Sequence, residues 1–529
     1  MVIWYLAEEN VKKLVSQSFV EQLFPLLRSD DAVLRRNTTM VFGILSGYFL
    51  CRAQLRKITN HFPVLLKLLQ DDLNTTKEFA LMTIKNMCQD YISIHDVLER
   101  RGLPLLIDCL RVSDPDVQKN AIDALYLIMQ DFEARPVLKS ANGLAPIVDL
   151  LDSEYPVIQE SGLRTLISAT HDASVRSALL DTSVLDKFVK IVGNPELYDL
   201  HVSALGLIAN MLEDPECAKV LINTGRLQLL LHYVTDKTVY KDSELTELSE
   251  SQITKEKPTK GKKQAAKGSP RKHKGEILAE AEKDKTVTSI TPEAKIHACQ
   301  AMMRAAHRDD VRKILHDADV ERMLVALLSH EDEGVRSAAA NAISAMAESF
   351  TCQERFFELG AVELLIRLAR GEHRIPKSAG VTALAALTKG NSVICREVAS
   401  RNSGLEALVT CLQPREPEID TITVGGLVAL TNIALDETTK AKVAQVVLGK
   451  PLAFVLKSSS QNTLTNAAMA IAAVAYDQNT VHQFVKHGGL DNLLNLLDSQ
   501  SNEVRRAVCW AIYVLSAEKS IAKEIANLG

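Results

Sequence analysis

Aromatic side chains are scarce in this chain, at 5% of 529 residues, with only two tryptophans. Beside 47% hydrophobic residues and abundant Ala and Leu, that scarcity favours helices packed through small and aliphatic side chains. Excess charge of either sign is also missing. A formal net charge of −5 gives no global pull toward nucleic acid or an anionic membrane. No basic-then-apolar leader opens the chain, and apolar runs such as the one from Gly425 to Leu435 fall far short of the ~20 residues a membrane helix needs. The chain therefore reads as soluble and intracellular, with no membrane partner.

The nine cysteines stand singly, with no C-x-x-C pair. That spacing excludes the usual zinc and redox motifs and points to buried free thiols. There is no H-E-x-x-H, G-x-x-x-x-G-K-[ST], G-x-S-x-G or G-x-G-x-x-G, so neither a cofactor nor a small-molecule substrate is expected and no residue is a catalytic candidate. His171, His201 and His297 sit singly and read as packing or surface residues.

What the chain does have is a period. The apolar residues Val335, Ala339, Ala342, Ile343 and Met346 fall at offsets 0, 4, 7, 8 and 11, one face of an α-helix. The same offsets recur at Val117, Ala121, Ala124, Leu125 and Ile128, at Leu200, Ala204, Leu207, Ile208 and Met211, and at Val504, Val508, Ala511, Ile512 and Leu515. Offset 10 falls on Ile44, Asn86, Leu127, Ser168, Asn210, Arg304, Ala345, Ala386, Asn432, Ala473 and Val514. Successive sites are 41 or 42 residues apart, except for 94 between Asn210 and Arg304 and 46 between Ala386 and Asn432. The 94 marks an insertion of roughly 50 residues and the 46 a short loop extension near Gln413.

Each unit also carries a second helix upstream, as in Gly102-Leu-Pro-Leu-Leu-Ile-Asp-Cys-Leu110, Gly143-Leu-Ala-Pro-Ile-Val-Asp-Leu-Leu151 and Gly489-Leu-Asp-Asn-Leu-Leu-Asn-Leu-Leu497. The glycine is expected to supply a left-handed or sharply turning backbone. Asp90, Asp131, Asp172, Asp214, Asp436 and Asp477 recur four residues after offset 10, where they suit the N-cap of a third, short helix. Small residues at offset 4, from Ala80 to Ala467 with Gly162, Gly380 and Gly426 among them, allow close helix approach. Three helices per unit, about 11 units of roughly 41 residues, give an all-α solenoid.

The phrase Gly425-Gly-Leu-Val-Ala-Leu-Thr-Asn-Ile-Ala434 resembles the armadillo consensus of the third helix. Longer stretches, Arg35-Arg-Asn-Thr-Thr-Met-Val-Phe-Gly-Ile-Leu45, Ser153-Glu-Tyr-Pro-Val-Ile-Gln159, Asp199-Leu-His201 with Ile208-Ala-Asn210, and residues 320–347, resemble the animal armadillo repeat-containing protein 3 (β-catenin-like) group. The resemblance implies a right-handed superhelical armadillo-repeat solenoid whose third helices line a concave groove. It also implies a scaffold or adaptor that binds proteins, in male germ cells and ciliary or flagellar processes. The expected location is cytoplasmic, with ciliary or flagellar placement and nuclear shuttling in view. Against that pattern the chain opens at Val2-Ile-Trp-Tyr-Leu-Ala7, as the end of a third helix, and closes at Ile525-Ala-Asn-Leu-Gly529, where another unit would start. It therefore reads as truncated at both ends.

In armadillo proteins that bind extended peptides, an Asn at offset 10 clamps the peptide backbone with its donor and acceptor. Here only Asn86, Asn210 and Asn432 occupy that site, with Arg304 and Ala473 among the other occupants. Trp510 lies four residues before Val514, where nuclear-import adaptors place a groove Trp. It reads either as a groove residue or as half-buried packing. The broken Asn ladder favours a folded partner or a helix in the groove, with a nuclear-transport-like adaptor for basic peptides as the alternative.

The expected organisation is repeats over residues 1–235, a charged disordered insertion over 236–292, and repeats over 293–529. The insertion turns basic at Lys260, Lys262, Lys263, Lys267, Arg271, Lys272 and Lys274. Three readings stand: a plain solvated linker, a nuclear-import signal, and a patch for nucleic acid or an acidic protein tail. Ser269, before Pro270, is a candidate phosphosite; phosphate there would cancel about two positive charges.

Overall fold

The computed structural model describes Lys13 and residues 18–223, 228–234, 290–413 and 420–528. The described residues hold helices and no strand. Those before residue 235 and after residue 291 belong to one compact unit. The basic residues Lys260 to Lys274, the candidate phosphosite Ser269 and the opening Val2-Ile-Trp stretch lie outside the described residues.

Eleven helices carry the offset-10 sites. They are α1 (Ala32–Leu45), α2 (Asn74–Met87), α3 (Pro115–Ile128), α4 (Pro156–Ala169), α5 (Tyr198–Met211) and α6 (Pro292–Ala305). The remaining five are α7 (Glu333–Met346), α8 (Arg374–Thr388), α9 (Asp420–Leu435), α10 (Gln461–Val474) and α11 (Asn502–Leu515). Each packs on the next, including α5 on α6 across the insertion. The architecture is an all-α solenoid.

Local chemistry starts these helices where they start. Asp31 accepts the free N–H groups of Val33 and Leu34, and Asp114 those of Asp116 and Val117 behind a Pro at the first position. Asp332, Ser460 and Ser501 each cap one N–H in the same way. The expected core face is buried: Val335, Ala339, Ala342, Ile343 and Met346 are all solvent-inaccessible, as are Val117, Ala121, Ala124, Leu125 and Ile128. Ile512 is the exception, only half-buried. Offset 4 is small where the helices come closest. A Cβ on Gly426 would lie 2.7 Å from the Cys411 Cβ, where no ordinary contact fits.

The glycines before the second helices work differently from the expectation. Gly102 and Gly143 have ordinary helical backbone. The left-handed residue is the one before, Arg101 (φ 53°) or Asn142 (φ 55°). The glycine is there because a Cβ at Gly102 would lie 2.8 Å from Val97 Cγ1, and one at Gly143 2.8 Å from Ile107 Cδ1. In the Gly488–Gly489 pair the roles split: Gly488 is left-handed (φ 72°) and Gly489 abuts the Phe484 ring.

The recurring Asp residues also divide. Asp172 and Asp477 cap their short helices through side-chain hydrogen bonds. Asp131, Asp214 and Asp436 each take one N–H two residues on, holding the turn. Asp90 makes no cap bond and pairs with Arg56 instead. Of the nine free cysteines, eight are buried, as expected, and Cys509 is exposed. Burial pushes the Cys88 and Cys299 thiols up to about 12. Among the described residues, no helix is long and apolar enough to cross a membrane.

Candidate functional site

The offset-10 residues form a row across α1 to α11, and the structure gives its three asparagines one job. Asn210 Nδ2 donates to the Ile167 carbonyl at 3.1 Å and to Thr170 Oγ1 at 3.2 Å. Asn432 Nδ2 donates to the Ala385 carbonyl at 3.0 Å and to Thr388 Oγ1 at 3.2 Å. Asn86 Nδ2 donates to Ser46 Oγ at 2.9 Å, with the Gly43 carbonyl at 3.5 Å. In each case the carbonyl belongs to the residue before the preceding row site, and the hydroxyl to the residue two beyond it. The seven other units followed by a row site place Cys88, Met129, Leu212, Ala306, Ala347, Ala434 or Ala475 at the hydroxyl position. None of those seven is followed by an Asn. Hydroxyl and amide come as a pair, and the amide donors run along the row, at the neighbouring helix.

Between α4 and α6 the row is a polar network. Arg304 Nη1 donates to Asn210 Oδ1 at 2.9 Å, and its Nη2 pairs with Glu213 Oε1 at 3.1 Å. Glu213 Oε2 also takes Arg176 Nη1 at 3.0 Å, and Arg176 donates to the Thr170 carbonyl at 2.7 Å. Burial weighs against the Arg304 charge, and the Glu213 carboxylate works in the opposite sense. Further toward α3, Arg164 lies over the Tyr126 ring at 4.4 Å and donates to its hydroxyl at 2.9 Å. Gln130 donates to Ser168 Oγ at 2.9 Å. These polar groups hold one another.

Beyond α6 the row changes character. Ala345 and Ala473 are small and buried, and Ala386 is half-buried. One helical turn before the row site, at the position of Trp510, stand Val428 on α9 and Met469 on α10. Met469 is 39% exposed and Trp510 51%. The Trp510 ring lies 5.5 Å from that of Tyr513, which is 69% exposed. Ala473 and Trp510 stand on the neighbouring helices α10 and α11, Asn210 and Arg304 belong to the polar network, and Asn86 on α2 and Asn432 on α9 lie outside it, each bonded to the preceding repeat. Sequence reasoning passed over Val428, Met469 and Tyr513. The signal was present, since Val428, Met469 and Trp510 are spaced by 41 residues.

His201 shows what the lone histidines do. It is buried, its Nε2 donates to the Ile191 and Asn194 carbonyls at 3.0 and 3.1 Å, and its Nδ1 accepts from the Tyr233 hydroxyl at 2.9 Å. It fastens the helix Gln228–Val234. Burial lowers its pKa from 6.5.

Residues 478–517 match the family model for the armadillo/β-catenin-like repeat. The chain is 31% identical over 436 residues to human armadillo repeat-containing protein 3, an alignment that covers 82% of this chain and 44% of that protein. It belongs to the armadillo-repeat family. The crystal structure of an engineered protein from the Northeast Structural Genomics Consortium matches the fold with a TM-score of 0.53 at 20% identity, covering 94% of this chain and 98% of that one. The chain spans less than half the length of its human relative. Armadillo solenoids are in general protein-binding scaffolds, built to present a row of helices to another chain.

Proposed function

We propose that this armadillo chain is a non-catalytic scaffold that seats the apolar face of a partner helix on the row of its C-terminal repeats. The observation that carries this reading is the strip Val428, Met469 and Trp510, spaced by 41 residues, beside the small side chain of Ala473. Met469 and Trp510 are exposed and Val428 is half-buried, and apolar side chains in register along successive helices suit an amphipathic helix laid across them. The asparagines support the same reading from the other side. Their donors are engaged with neighbouring repeats, so a clamp on an extended basic peptide would have to break those bonds first. The cell setting we propose, on resemblance to the group alone, is the cytoplasm of male germ cells and their cilia or flagella.

The test is a pulldown or titration with a partner recovered by proximity labelling. Met469→Glu, at an exposed position, should weaken binding at least about tenfold, because the carboxylate must be desolvated against the partner's apolar face; Ala473→Glu, at a buried position, should do the same in a variant first shown to be folded. Asn432→Ala should leave binding unchanged. Loss of binding with Asn432→Ala alone, in a protein that is still folded, would restore the extended-peptide receptor.

A further inference from the structure

His316, Glu321 and Cys352 meet at the joint between two repeats. His316 ends the first helix of one unit (Asp309–Asp317), and Glu321 opens its second (Val320–Leu327). Left-handed Asp319 (φ 54°) turns the chain between them. Cys352 lies on the first helix of the next unit (Phe350–Glu358), which packs against the second helix of the former. One ligand atom from each residue, an imidazole nitrogen, a carboxylate oxygen and a sulfur, lies within 4.8 Å of the other two.

The carboxylate makes this more than a coincidence of side chains. Glu321 is 0% exposed. One of its oxygens meets His316 Nδ1 at 2.7 Å, and the other, Oε2, has no hydrogen-bond partner. A buried carboxylate oxygen without a partner is costly. The guanidinium groups of Arg322, next to Glu321, and of Arg355, one turn beyond Cys352, are both committed to Asp319. His316, at 34% exposure, opens the cluster to solvent on one side. Burial and the neighbouring Glu321 carboxylate push the Cys352 thiol up to about 12, and the Ser349 and Thr351 hydroxyls nearby, 2.8 Å from each other, work in the opposite sense.

We propose that His316, Glu321 and Cys352 bind a zinc ion that staples the two repeats. The donor set of nitrogen, oxygen and sulfur suits zinc rather than calcium or magnesium, which take oxygen ligands. Bonds of about 2.0–2.3 Å would put the donors roughly 3.5 Å apart, so the cluster closes on the sulfur while the His316–Glu321 pair opens. The three side chains leave a fourth position toward solvent, on the His316 side, for water. The thiol proton goes to solvent on binding, and His316 binds as the neutral tautomer with its proton on Nε2. Affinity therefore rises with pH.

The experiment uses the metal-free 529-residue chain, titrated with Co²⁺ and then with competing Zn²⁺. Co²⁺ should give the near-ultraviolet thiolate-to-cobalt band at one equivalent, and Zn²⁺ should displace it. Cys352→Ser should abolish the band, while Cys509→Ser, which removes the exposed thiol, should leave it intact. His316→Gln changes the partly exposed ligand, so it serves if Cys352→Ser does not fold. It should weaken binding at least about tenfold. Absence of the band, its survival in Cys352→Ser, its loss in Cys509→Ser, or unchanged affinity in His316→Gln would each overturn the site.

Discussion

Arg304 reaches across 94 positions of sequence to donate its Nη1 to the Asn210 carboxamide oxygen at 2.9 Å. Asn210 passes the connection on, through its own Nδ2, to the Ile167 carbonyl on α4. The repeats before and after the insertion are thus joined through one polar chain, with Glu213 and Arg176 alongside.

That chain should be measurable. In a double-mutant cycle, Asn210→Ala and Arg304→Ala should show a coupling of about 1 kcal/mol, the worth of one half-buried hydrogen bond. Urea unfolding followed by circular dichroism gives the number. Strict additivity of the two changes would show that the bond contributes nothing.

Asn432→Ala should lower stability by about 1 kcal/mol through the lost bonds to Ala385 and Thr388. Thr388→Val, which removes the hydroxyl of the pair, should cost a similar amount, and the two together less than their sum. An additive double variant would separate the amide from the hydroxyl.

Gly426 sets how closely α9 approaches the helix before it. Gly426→Val should destabilise by about 1–3 kcal/mol, because its first carbon would meet the Cys411 Cβ at 2.7 Å and the Leu408 carbonyl oxygen at 3.4 Å. A thermal midpoint equal to that of the parent chain would contradict the close approach.

Acid should loosen the fold before it touches the carboxylates. Burial lowers the pKa of His61, His201, His232 and His297 from 6.5. In the folded chain these rings stay neutral, while in the unfolded chain they take a proton below that value. Their contribution is therefore complete above 6.5 and lost as pH falls toward the lowered folded values. Urea midpoints taken from roughly pH 8 to 5.5 should fall with pH. A flat profile over that range would refute the assignment.

A thiol reagent added to the native chain should modify Cys509 first, since the other eight cysteines are buried. Burial also pushes thiols such as Cys88 and Cys299 up to about 12, far from the reactive thiolate. Mass mapping after brief labelling reads this directly, and early modification of Cys299 would mean that its repeat opens.

The sequence by itself determined the period, the buried face of each helix and the place of the insertion. The reason is physical: a helix must put its apolar residues on one side, so offsets 0, 4, 7, 8 and 11 survive in the letters whatever the neighbours do. It also carried the pairing of Asn with a hydroxyl one repeat earlier, in Asn432 with Thr388 and Asn210 with Thr170, although nothing in one helix says that two such residues meet. The direction of an amide, the left-handed backbone falling on Arg101 rather than Gly102, and the meeting of Cys352 with His316 and Glu321 were settled only in three dimensions. Each depends on how closely one helix rests on the next, and that distance is fixed by the side chains of both helices together.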